Sequence, residues 1–69
     1  MTRSVFVGWI CRVWTETISK GFIYDIARFN TEQEADQHGR AMMRLPFGYD
    51  ELSREYEVYK DFDLQEVKA

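Results

Sequence analysis

Apolar residues dominate the stretch Ser4 to Thr15, SVFVGWICRVWT, which is rich in β-branched and aromatic residues. That composition predicts a strand with Val5, Val7, Trp9, Cys11 and Val13 on one face and Phe6, Gly8, Ile10, Arg12 and Trp14 on the other. Both faces are largely apolar, as suits a central strand. Thr17-Ile18-Ser19-Lys20-Gly21 is a short polar connection ending in a glycine able to take positive φ, so a hairpin leads into a second strand over Phe22–Phe29.

The period then changes. Asn30-Thr31-Glu32-Gln33-Glu34 has the form of a helix start, with the Thr31 hydroxyl accepting from the Glu34 amide and the Glu34 carboxylate reaching back to the Thr31 amide. Glu32 and Glu34 also complement the positive end of the helix dipole. Ala35, His38, Gly39, Met42 and Leu45 share one side, opposite Gln33, Asp36, Gln37, Arg40 and Arg44. Asp36 and Arg40 are spaced as an exposed helix ion pair. Pro46 and Gly48 end the helix, and Phe47–Glu51 forms a loop.

From Glu55 to Asp63 the alternation is strict: Glu55, Glu57, Tyr59, Asp61 and Asp63 on one side, Tyr56, Val58, Lys60 and Phe62 on the other. A second helix over Asp50–Lys60, using Leu52, Tyr56 and Tyr59, is the competing reading, but alternation continuing through Phe62 and Leu64 favours a strand. The expected fold is α+β: a single domain over 1–69 with a three-stranded antiparallel sheet, β-β-α-β, in the order 2-1-3, and one helix packed on one face. The helix covers the Val5/Val7/Trp9/Cys11/Val13 side. Phe6, Ile10 and Trp14 are then left on an open sheet, sheltered only by the Phe47–Leu52 loop and the arms of Arg12 and Arg28, or else forming a dimer or partner contact.

Length and charge narrow the function. At 69 residues the core is thin, and association often supplies the missing burial. One cysteine, Cys11, and one histidine, His38, leave no disulfide framework and no zinc set, so a reducing, cytoplasmic setting is expected, with no metal and no cofactor. The chain opens on no leader and holds no apolar stretch of about 20 residues, so no membrane partner is expected. Ser4 and Ser19 lack a partner histidine and acid, Gly8 and Gly21 belong to no phosphate loop, and the expectation is a protein without catalytic activity. So short a chain encloses a small-molecule pocket only by dimerising.

The net charge of −3 argues against direct nucleic-acid binding. The acidity is C-terminal: from Asp50 onward seven acids (Asp50, Glu51, Glu55, Glu57, Asp61, Asp63 and Glu66) face only Arg54, Lys60 and Lys68. On a strand, same-side residues lie roughly 6.5–7 Å apart, close to the phosphate spacing along one nucleic-acid strand. Charges on an edge strand also prevent unwanted strand addition, but a charge or two suffices for that. The longer row, with Tyr59 at its middle, matches the basic groove of a protein that normally holds DNA or RNA.

In size, acidity, lack of catalytic motifs and β-β-α-β order, the chain resembles the small accessory proteins that bacteriophages encode, including anti-CRISPR proteins and inhibitors of host RNA polymerase. The resemblance is one of type, with no shared motif. It implies a stoichiometric inhibitor, acting in the host cytoplasm, that occupies the nucleic-acid path of a CRISPR effector or polymerase. The alternative is a self-associating structural or adaptor protein using Phe6, Ile10 and Trp14.

Overall fold

The structure is a computed structural model and describes residues 2–66, with the side chains of residues 65 and 66 left aside. The expected domain span 1–69 thus includes Met1 and residues 67–69, which lie outside the described residues. The elements are β1 (Thr2–Thr17), β2 (Gly21–Phe29), α1 (Glu32–Met43) and β3 (Glu51–Glu66). They form one antiparallel sheet in the order β2-β1-β3, with α1 on one face. The α+β order read from the sequence is the order observed. The strands run longer than their apolar cores: β1 and β3 each have 16 residues. The Asp50–Lys60 helix is excluded, since those residues from Glu51 onward pair with β1.

The hairpin turns at Gly21, whose φ of 69° lies where glycine carries no steric penalty. The turn is tied by the Thr17 hydroxyl, which donates to the Gly21 carbonyl and accepts from the Lys20 amide. At the helix start Thr31 has an extended backbone and its hydroxyl accepts from the Glu34 amide at 3.2 Å. The reciprocal half of the expected capping box is replaced: Glu34 accepts from the Thr31 hydroxyl at 3.0 Å instead of from its amide.

Beneath the helix, Cys11, Val13 and Ala35 are buried, ringed by Trp9, Phe29, Met42, Met43, Tyr56 and Val58. Gly39 sets the depth of the contact, because a Cβ there would run into the Tyr56 ring. The Tyr56 hydroxyl passes the helix and donates to Asp36 at 2.9 Å, and Arg40 pairs with the same carboxylate at 2.8 Å. Leu45 departs from the expected helix face: it follows the last turn and is 50% exposed.

Two bulges alter the faces. Register runs Phe6↔Phe62 and then Gly8↔Asp61, so Val7 is an extra residue on β1; it resumes at Glu16↔Ser53 and then Thr17↔Glu51, so Leu52 is extra on β3. Directly opposed residues share a face. The first bulge therefore moves Phe6 to the helix side, where its ring lies 5.8 Å from Trp9 and 6.1 Å from Phe62, and moves Val5 to the open side opposite Asp63. The second brings Glu51 to the same side as Arg54.

Arg54 fastens the helix exit. It donates to both carboxylate oxygens of Glu51 at 2.7 Å, and to the carbonyls of Met42 at 2.6 Å, Leu45 at 2.7 Å and Pro46 at 3.3 Å, while its guanidinium lies over the Phe47 ring. Carbonyls at a helix end have no partner within the helix, and here a single arginine from the next strand supplies one. The paired hydrogen bonds from Arg54 hold the Glu51 carboxyl below the usual carboxylate range, and push Arg54 up in turn.

Candidate functional site: the open face of the sheet

Register assigns the open face row by row. β3 contributes Ser53, Glu55, Glu57, Tyr59, Asp61 and Asp63; β1 contributes Glu16, Trp14, Arg12, Ile10 and Gly8 and, beyond the bulge, Val5 and Arg3; β2 contributes Phe22, Tyr24, Ile26 and Arg28. Since the bulge beside the acidic row lies on β1, the β3 alternation runs unbroken. Glu55, Glu57, Tyr59, Asp61 and Asp63 thus share one face with Ile10 and Trp14. Phe6 is the exception among the residues expected there, for the reason given above.

The acidic row is partly answered from within. Arg12, at the centre of the sheet, stands 3.8 Å from Glu57, with its guanidinium lying over the rings of Trp14 and Tyr24 at 5.2 and 4.9 Å. Arg28 starts on β2 and crosses β1 to reach Asp61 at 2.5 Å. This contact is close but poorly directed, an ion pair that leaves Asp61 Oδ2 without a hydrogen bond. The arm passes Gly8, a position that the backbone reserves for glycine: its φ is +151° and a Cβ there would lie 2.8 Å from the Phe29 carbonyl, with the Arg28 Cγ at 3.4 Å. Among the described residues no cation pairs with Glu55 or Asp63. The row is therefore two carboxylates with no cation partner among the described residues, flanking two that each pair with an arginine of their own.

Shelter is uneven across the face. Ile10 is buried at 8% exposure, with Arg28 and Tyr59 as its cross-strand neighbours. The Phe47–Leu52 loop gives no cover: Phe47 lies under Arg54 on the helix side, and Tyr49 is fully exposed. The openly apolar part of the face is on β2, where Phe22, Tyr24 and Ile26 are 57, 54 and 60% exposed. Arg12, Tyr24 and Ile26 line a shallow depression between the two halves. The sequence carries a signal for the β2 row, since Phe22, Tyr24 and Ile26 alternate in FIYDIARF.

Elsewhere the titratable groups are scattered. His38 packs on the Phe29 ring, with Nε2 at 3.7 Å from Asp25. Cys11 is buried, and burial pushes its thiol up, with smaller contributions from Asp25 and Asp36. Among the described residues, no three of His, Cys, Asp and Glu are grouped as metal ligands would be, and no helix is long and apolar enough to cross a membrane. No protein family, curated protein or solved structure matches the chain.

Proposed function

We propose that the chain is a non-catalytic inhibitor that docks the open face of its sheet into the basic nucleic-acid groove of a host complex, of the CRISPR effector or polymerase type. The observation that carries this reading is the unbroken row Glu55, Glu57, Tyr59, Asp61, Asp63 on a face no part of the described chain covers. Its spacing of roughly 6.5–7 Å suits cations that normally hold successive phosphates. The β2 row adds apolar contact area beside the charge, as a protein partner needs and a solvated face does not. Arg12 and Arg28 refine the reading: Glu55 and Asp63 are the carboxylates free to meet a partner's cations at once, whereas Glu57 and Asp61 exchange partners on docking.

The test uses the immobilised chain and bacterial lysate, with and without added competitor DNA and RNA. Recovery of a nucleic-acid-processing complex that is displaced by nucleic acid supports the reading. A complex retained undiminished in excess nucleic acid, or no complex at all, contradicts it, because a mimic and the polymer it imitates cannot share one site.

A further inference from the structure

Both outer strands of the sheet, β2 and β3, present an unpaired edge, and the two edges differ in what they carry. Along β3 the open side is acidic at Glu55, Glu57, Asp61 and Asp63, so antiparallel pairing of β3 with its own copy sets like charges about 5 Å apart. The nine residues of β2, GFIYDIARF, carry only Asp25 and Arg28, of opposite sign. Phe22, Ile23, Tyr24 and Ile26 are exposed along it on both faces. A long, apolar, nearly neutral edge is a template for strand addition unless something occupies it.

We infer that β2 pairs antiparallel with β2 of a second copy, giving a continuous six-stranded sheet. Charge selects this mode over stacking two open faces. A two-fold axis across the strands would set acidic row on acidic row, and an axis along them would set each acidic row on the other copy's Phe22, Tyr24 and Ile26. Edge pairing avoids both. It joins the two β2 rows into one apolar strip and sends the acidic rows to the outer margins, five strand spacings or about 24 Å apart. The small core supplies the drive: Ile10, Cys11, Val13 and Ala35 are the buried apolar residues of the described chain, far fewer than its exposed ones.

The assembly is independent of any basic partner, so mass measured on the purified chain alone tests it. Light scattering coupled to size exclusion is expected to give twice the 8.3 kDa of one chain. Ile23→Lys, on the helix side of β2, is expected to return the monomer mass, because it charges the edge without touching the open face. Tyr59→Glu, on the open face away from β2, is expected to keep the dimer. Circular dichroism on both variants checks that the sheet is retained, and if Ile23→Lys loses it, Ile26→Lys on the same edge replaces it. A monomeric wild-type chain, or a dimer broken by Tyr59→Glu and kept by a folded edge-lysine variant, would overturn the inference.

Discussion

At the scale of single residues, Gly39 marks a place where the fold has no room. Gly39 lets α1 settle on the Tyr56 ring, and a methyl group there meets ring carbons that are themselves fixed by the hydrogen bond to Asp36. Gly39→Ala improves helix propensity, by about 1 kcal/mol. The overlap costs more, about 1–3 kcal/mol for overpacking, so a net loss of stability is expected in urea or thermal unfolding. Gly48, where a Cβ would find only Asp50 at 3.7 Å, is the control: its replacement by alanine is expected to shift the midpoint far less. Cys11 illustrates the other kind of constraint. Fully buried and with its thiol pushed up, it is expected to resist thiol reagents until the chain unfolds.

At the scale of elements, order and type follow from hydrophobic period. The alternation of β3, the Thr31 cap and the glycine-ended hairpin each had a local cause, and each was legible in the sequence. The bulges were not. In SVFVGW only Gly8 hints at an irregularity, and Val5, Phe6, Val7 and Trp9 are all apolar, so either register satisfies the pattern. It is the pairing with β3 that moves Phe6 to Trp9 and Phe62. The Arg54 clasp was hidden for a similar reason: Glu51 and Arg54 stand three apart, a spacing that places them on opposite strand faces until the Leu52 bulge brings them together.

That clasp gives α1 and β3 a pH-dependent join. Glu51's carboxyl is held below the usual range by Arg54, so its stabilising effect is complete above the unfolded value of about 4.3. It is lost as pH falls through the depressed folded value, because the unfolded chain takes up the proton first. Glu51→Gln is expected to lower stability at neutral pH and to flatten the acid limb of the stability curve. Urea unfolding at neutral pH and at about pH 3 measures this, and parallel curves for the two proteins would mean the pair contributes no linkage.

On the whole-molecule scale, the chain is a thin sheet with Cα extents of 56 × 24 × 11 Å, one helix on one side and nothing described on the other. Its N-terminal reach is a two-stranded ribbon, since β2 ends opposite Trp9 while β1 and β3 continue together to Thr2 and Glu66. The acidic row, its cross-strand arginines and the apolar β2 row all belong to that uncovered side. The sequence showed the acids as a row but gave no means of seeing their arginines, because Arg28 reaches Asp61 from two strands away over Gly8. This changes the most informative variant: neutralising all four acids strands Arg12 and Arg28 without partners, whereas Glu55→Gln with Asp63→Asn removes only unpaired charge.

The decisive measurement is the association rate of a partner captured by nucleic-acid-sensitive pull-down, followed at two ionic strengths for the wild-type chain and for the Glu55→Gln, Asp63→Asn double variant. Steering by an acidic row on the open face makes association fast and strongly salt-dependent, so the variant is expected to bind more slowly with a shallower salt dependence, while its unfolding midpoint stays near that of the wild type. A double variant that associates as fast and as salt-sensitively as the original would contradict docking through the acidic face.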